Sequence, residues 1–283
     1  IWQKDKWDEF IAIHADSDGV IAYTRSYEVV SFDPSDGSEQ WRASTTGGEN
    51  WLFNTALTPS YFVTDTEDGV VVYERGSGDI ALELDELYRM LRATDDTLVG
   101  TKRGETVAFD LPSGDERWTS ESSVSLGATI DDGRLIGYES EFFSETDSVL
   151  KALDLDSGEE IWSQNLGSIS LDQASIVTES GVAMFISAPF DEASTLYGHD
   201  LSDGSQSWTQ DMGKIVRPRE PVAANGVVIA PGKREGRYQL RLHDAQNGER
   251  LSTVETTHQV SDGVVANRVF AGREVTTVTA YNF

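Results

Sequence analysis

The sequence predicts an all-β chain: a seven-bladed β-propeller of four-stranded antiparallel blades, forming a single domain over residues 1–283. Three observations carry that prediction. An Asp-x3-Gly-x3-Trp phrase recurs along the chain, the copies lie about forty residues apart, and short apolar/polar alternations between turn residues fill the intervals. The phrase is complete as Asp33-Gly37-Trp41, Asp110-Gly114-Trp118, Asp154-Gly158-Trp162 and Asp200-Gly204-Trp208. Glu74-Gly78-Leu82 and Asp244-Gly248-Ser252 are weaker copies, and successive acidic anchors are 41, 36, 44, 46 and 44 residues apart.

The chain ends supply the seventh anchor. Val278-Thr279-Ala280-Tyr281-Asn282 matches the strand before an anchor, as in Val107-Ala108-Phe109-Asp110, with Asn282 in the acidic place. Ile1-Trp2-Gln3-Lys4 reads like Ile161-Trp162-Ser163-Gln164, a strand that follows an anchor. The expectation is a split blade, three strands from the C-terminus and one from the N-terminus, whose pairing closes the ring and covers its edges.

Within a blade the alternation predicts four strands. In the fourth they are expected near Ser125–Ile130, Arg134–Glu139, Val149–Leu155 and Glu160–Leu166. The Asp-x3-Gly segment is the hairpin between the last two. Its acid is placed to bond turn amides, and its glycine supplies a positive φ. The tryptophan lies on the outer strand, where its ring is expected to wedge against the next blade and its indole N–H to reach a backbone acceptor. Residues repeated four times at equivalent places are read as structural.

Leu150-Lys151-Ala152-Leu153-Asp154-Leu155-Asp156-Ser157-Gly158-Glu159-Glu160-Ile161-Trp162 resembles the PQQ-like repeat, written A-x-D-x-x-T-G-x-x-x-W, and Thr106-Val107-Ala108-Phe109-Asp110 resembles its first half. That repeat builds quinoprotein alcohol dehydrogenases and the outer-membrane assembly lipoprotein BamB. The resemblance spans the chain and implies the fold, while enzymatic and adhesive members share it. For the enzymes it implies eight blades, a calcium ion beside the quinone and often a disulfide of adjacent cysteines. This chain has seven anchors, no cysteine, and no Glu/Asn/Asp set that maps onto the calcium ligands. No catalytic residue, cofactor or metal ligand is therefore expected.

Composition adds a second inference. Forty-nine acidic residues against 22 basic ones give a formal charge of −27, and only six of the basic residues are lysine. Aromatic and β-branched residues are plentiful and periodic, so disorder is not implied. Self-repulsion of this size is screened in molar salt, and the pattern resembles that of salt-in halophiles, haloarchaea in particular. It argues against nucleic acid as a partner. No stretch has the apolar length of a membrane span. The chain shows no signal peptide and opens inside a strand pattern, so a mature or trimmed product is expected. Relatives of the PQQ-like type are commonly exported and tethered by a lipidated N-terminal cysteine, which implies an extracytoplasmic location.

Asp16-Ser17-Asp18-Gly19 and Asp154-Leu155-Asp156-Ser157-Gly158 faintly resemble calcium loops, but both lack the downstream glutamate and are read as turns. His199 and His243 precede anchors where other blades carry Phe32, Tyr73, Phe109 or Leu153, so they are read as packing residues.

Two departures from the repeat remain. Lys214, Arg217, Arg219, Lys233, Arg234, Arg237, Arg241 and Arg250 stand against Glu220, Glu235, Asp244 and Glu249, a local net charge of +4. This sixth blade is a candidate docking site for an acidic partner, a carboxylate or an anionic glycan, unless its cations answer neighbouring acids as surface pairs. Phe142 and Phe143, in a long polar connection, and Phe190 in the next blade are candidate interface anchors. The function expected is a non-catalytic scaffold that binds a protein or cell-envelope ligand. The alternatives are a divergent quinoprotein-like enzyme, or a sensor or structural module of a larger assembly.

Overall fold

The computed structural model describes residues 10–16, 18–45, 54–85, 89–124, 127–139, 148–167, 169, 171, 175–187, 193–213, 221–234, 236–256, 260–266, 269–274 and 277–282. They form two compact units, one of Ile1–Ser123 with Asp156–Gly158, the other of Val124–Leu155 with Glu159–Phe283.

The first unit holds three four-stranded antiparallel sheets. Sheet 1 is β1 (Phe10–Ala15), β2 (Val20–Thr24), β3 (Glu28–Phe32) and β4 (Glu39–Ser44). Sheet 2 is β5 (Thr55–Leu57), β6 (Tyr61–Asp65), β7 (Val70–Glu74) and β8 (Ile80–Leu84). Sheet 3 is β9 (Arg89–Ala93), β10 (Thr97–Lys102), β11 (Glu105–Asp110) and β12 (Glu116–Ser120).

The second unit holds three more four-stranded sheets and one of three strands. Sheet 4 is β13 (Thr129–Asp131), β14 (Arg134–Glu139), β15 (Ser148–Asp154) and β16 (Glu160–Gly167). Sheet 5 is β17 (Val177–Glu179), β18 (Val182–Ser187), β19 (Ser194–Asp200) and β20 (Gln206–Gly213). Sheet 6 is β21 (Val222–Ala224), β22 (Val227–Arg234), β23 (Arg237–Asp244) and β24 (Arg250–Thr256). Sheet 7 is β25 (Val260–Ala266), β26 (Val269–Glu274) and β27 (Thr277–Asn282). Ile1–Lys4, the predicted closing strand, lie outside the described residues.

Each sheet is a meander with its strands in chain order. Middle strands are buried on both faces, as in Val70-Val71-Val72-Tyr73 of β7 and all of β18. Their runs of β-branched and aromatic residues suit a strand covered from two sides. Last strands alternate instead: β4 reads exposed, exposed, half-buried, exposed, half-buried, exposed. The first strand of sheet 4 starts at Thr129, later than the sequence pattern suggests, after Gly127 at φ +85° has left the extended region.

The repeated phrase builds the joint between sheets. In the six described hairpins the anchor N–H donates to the carbonyl five residues on, as Asp200 does to Ser205 at 2.8 Å, and the Gly37, Gly78, Gly114, Gly204 and Gly248 N–H groups return to their anchor carbonyls. The anchor carboxylate takes a turn amide, as Asp200 Oδ1 does from Ser202 at 2.7 Å. The tryptophan then reaches the following sheet. Trp41 Nε1 donates to the Arg75 carbonyl at 2.8 Å, Trp162 to Leu201 at 2.9 Å and Trp208 to Ala245 at 3.2 Å. Those acceptors each directly follow an anchor, and their own N–H groups bond the turn between the first two strands of their sheet.

The hairpin glycine faces the same ring. A Cβ on Gly78 would sit 2.5 Å from Trp41, and one on Gly158 or Gly248 equally close to Trp118 or Trp208. Glycine is therefore required twice over, for φ values of +72° to +77° and for close approach. Where Leu82 replaces tryptophan it packs on Gly114 without a donor.

Polar pins reinforce the joints of the first unit. Arg75, 9% exposed, donates to both oxygens of Asp16 between β1 and β2 and to the Thr58 carbonyl. The guanidinium beside Asp16 holds that carboxyl below its usual range. Thr58 Oγ1 and the Ser60 N–H both donate to Asp95 Oδ1, at 2.6 and 2.9 Å, tying sheet 2 to sheet 3.

Candidate functional site

In the second unit, sheets 4, 5 and 6 share a common orientation. Glu179 accepts a bond from the Gly226 N–H at 3.0 Å, joining the first turn of sheet 5 to the first turn of sheet 6. The Trp162 and Trp208 joints lie at this same end, because their acceptors Leu201 and Ala245 bond the Gly181 and Gly226 carbonyls of those turns. The opposite end is where second strands pass into third strands. There stand Glu139 and Ser148, Ser187 and Ser194, and Arg234 and Arg237, with Gly167 and Gly213 closing β16 and β20 beside Ser148 and Ser194.

The two departures noted in the sequence can be placed only by the strands that lead into them. Phe142 and Phe143 follow β14, Phe190 follows β18, and Arg217 and Arg219 follow β20. All five lie outside the described residues. The strand ends that lead into them share one end of the unit with the β22–β23 hairpin.

That hairpin carries the basic residues. Lys233 pairs in register with Tyr238, and Arg234 with Arg237, around Gly236 at φ +83°. Arg237 is 70% exposed and meets both Glu255 oxygens, at 3.1 and 3.2 Å. A pair so open to water stabilises little, and its guanidinium is accessible.

Arg241, another of the candidate partner-binding cations, is buried. It is 3% exposed, donates Nη1 to the Met212 carbonyl of β20 and points Nε and Nη2 at Gln239 Oε1. Arginine stays charged when buried, so here it fastens sheet 6 to sheet 5 rather than offering itself to a partner.

His199 and His243 are packing residues. Each donates Nδ1–H to its hairpin glycine carbonyl, Gly204 at 2.9 Å and Gly248 at 3.0 Å, and burial lowers both pKa values. Asp65 is the notable buried acid. It accepts the Met90 N–H at 2.7 Å and the Asn54 side-chain amide at 3.1 Å, yet burial still pushes its pKa to about 6. A cavity of about 370 Å³ in the first unit is lined by Thr66, Asp68, Gly69, Val70, Val71, Glu83 and Asp85. Among the described residues no His, Asp and Glu side chains converge as a metal site, and no helix is long and apolar enough to cross a membrane. The sequence reading also passed over His14, whose Nε2 lies 2.7 Å from Thr55 Oγ1.

The family described as outer membrane protein assembly factor BamB matches residues 25–168 and again 145–282. Among solved structures, BamB from Moraxella catarrhalis is 17% identical with a TM-score of 0.69, covering 96% of this chain and 82% of that one. Sqt1 from Saccharomyces cerevisiae is 12% identical with a TM-score of 0.71, covering 97% and 82%. The computationally designed Ika8 protein is 13% identical with a TM-score of 0.64, covering 97% and 96%. At these identities the likeness shows the fold, a β-propeller. No curated protein matches the sequence.

Proposed function

Because this chain belongs to the family described as outer membrane protein assembly factor BamB, we propose that it is a non-catalytic scaffold that binds a protein or cell-envelope ligand. One observation carries the reading. The strand ends leading to Phe142, Phe143, Phe190, Arg217 and Arg219 share one end of the second unit with the Lys233–Arg237 hairpin. A rigid set of sheets presenting neighbouring connections loses little conformational entropy on binding. Aromatic and arginine side chains are the types that anchor interfaces. A family named for assembling other proteins supports a protein partner, and a charge of −27 speaks against nucleic acid.

In this reading the chain is one seven-bladed domain over residues 1–283, with Ile1–Lys4 as the fourth strand beside β27. Among the described residues, six sheets of four strands and a seventh of three leave one strand position to fill. The protein works outside the cytoplasm of a halophile, with any membrane tether outside these residues. Its acidic, lysine-poor composition predicts a melting temperature that climbs as KCl rises from dilute to molar. A flat profile would remove the halophilic part of the proposal.

The binding role is tested by cross-linking the chain in its source cells at native salt, followed by mass spectrometry. A recurrent partner linked through Lys214 or Lys233, and lost in a K233E/R234E/R237E variant, is the expected result. Equal capture by that variant, with unchanged melting, would overturn the assignment of this end.

A further inference from the structure

The last strand of sheet 2 is unlike the last strands beside it in the chain. β4 and β12 of the same unit read Glu-Gln-Trp-Arg-Ala-Ser and Glu-Arg-Trp-Thr-Ser, whereas β8 reads Ile-Ala-Leu-Glu-Leu, with Glu83 its single polar residue. β8 stands at the end of its sheet, so among the described residues no strand pairs with its outer N–H and C=O groups. Natural edges are commonly guarded by charge. Here Ile80 is 51% exposed, and Ala81, Leu82 and Leu84 are half-buried. We propose that β8 is a docking edge for an extended segment of a protein partner, alternately apolar and basic, which adds to sheet 2 as a fifth strand.

The cleft at the end of β8 sets the charge of that segment. The cavity of about 370 Å³ opens where the β6–β7 turn, closed by the Thr66 N–H on the Gly69 carbonyl at 2.7 Å, meets Glu83 and Asp85. Asp68, Glu83 and Asp85 line it, and all three are exposed. Among the described residues none of them has a hydrogen bond or an ion pair. Other acids of this unit are already answered: Glu28 and Glu39 by Arg42 at 2.6 and 2.7 Å, and Asp110 by Arg117. A lysine or arginine brought from outside would relieve the repulsion among the three cleft carboxylates.

The apolar edge and the cleft adjoin along the strand. β8 bulges at Ala81, and beyond the bulge Leu82, Glu83 and Leu84 run regularly opposite Val72, Val71 and Val70. A strand laid along that run ends at the cleft. Side chains alternate across a strand, so an apolar/basic alternation sets its apolar residues level with Leu82 and Leu84 and its cations level with Glu83. Main-chain bonds then supply affinity, and the alternate side chains supply selectivity. The edge belongs to the first unit and does not depend on the scaffold end of the second.

Fluorescence anisotropy of labelled hexapeptides on the full chain, at constant ionic strength, tests the proposal. Val-Lys-Val-Lys-Val-Lys should bind, and Val-Glu-Val-Glu-Val-Glu should bind at least about tenfold more weakly. N-methylation of alternate amides on the pairing edge of the lysine peptide should cost about tenfold, because it removes the main-chain donors. E83Q/D85N and I80K should each weaken the lysine peptide about tenfold while leaving thermal melting unchanged, since all three side chains are exposed. Equal binding of the glutamate peptide or of hexalysine, or binding that survives both variants, would overturn the proposal. Sedimentation of the chain alone as a dimer that I80K dissolves would give the edge to a second copy, and would overturn the cationic partner.

Discussion

Replacing Gly204 by alanine probes the joint between sheets most directly. The substitution meets two obstacles. At φ +75° a residue with a Cβ is strained by about 1 kcal/mol, and that Cβ would overlap the Trp162 ring, adding roughly 1–3 kcal/mol as in other overpacked sites. Gly181 separates the two contributions. It has nearly the same φ, +78°, and nothing within 4 Å of its Cβ position. Gly181→Ala should therefore cost about 1 kcal/mol and Gly204→Ala roughly 2–4.

Trp162→Ala removes a ring that is 8% exposed and bonded to the Leu201 carbonyl, which should cost about 3–5 kcal/mol. In that background Gly204→Ala keeps only its φ strain, so the double variant should be about 2 kcal/mol more stable than the sum of the singles predicts. Urea unfolding followed by far-ultraviolet circular dichroism of the four proteins measures the coupling. Additive single costs, or equal costs at Gly181 and Gly204, would refute the interlock.

Two further outcomes are expected. Arg241→Gln, which strips a buried cation from the Met212 carbonyl, should lower stability by about 2–4 kcal/mol, whereas Arg237→Gln at an exposed pair should stay within about 0.5; equal losses in denaturant titrations would contradict the burial contrast. The pH dependence should show two opposed contributions. His199 and His243 have lowered folded pKa values, so what they contribute is present above the ordinary value of 6.5 and fades as pH falls through it. Asp65 behaves oppositely: with a folded pKa of about 6 against 3.8, its contribution is full below 3.8 and is lost as pH rises through about 6. Asp65→Asn should therefore lose on the order of 3 kcal/mol more than the parent on going from pH 7 to pH 4; parallel pH profiles would count against the raised value.

Much of this fold could be read from the chain because its main devices are written several times over. The hairpin phrase fixes a turn, a glycine and a ring in each copy, and the runs of Val and Tyr mark the strands covered on both faces. The candidate site was less legible. Charge alone does not reveal whether an arginine meets water or a carbonyl, and the acceptor for Arg241 lies 29 residues away on β20. His14 and Thr55 are 41 residues apart, in strands with no repeated residue between them, so only the side-by-side packing of β1 and β5 brings them together.

The split of each joint across neighbours bears on how such a chain lengthens. The Asp200 copy sends its Trp208 ring to the next sheet and receives Trp162 at its own Gly204 and at the Leu201 carbonyl. Duplicating or deleting one whole period therefore regenerates a matched seam, since any incoming copy brings the half its neighbour needs. A cut that falls between the glycine and the ring instead leaves the same seam intact but changes which copy owns it, so permuted chains should tolerate new ends on the outer strands. The Leu82–Gly114 seam is one exception, and sheet 6, with Ser252 in the tryptophan's place, is another. A copy placed after either gains no indole donor, which marks sheets 2 and 6 as the periods least interchangeable with the rest.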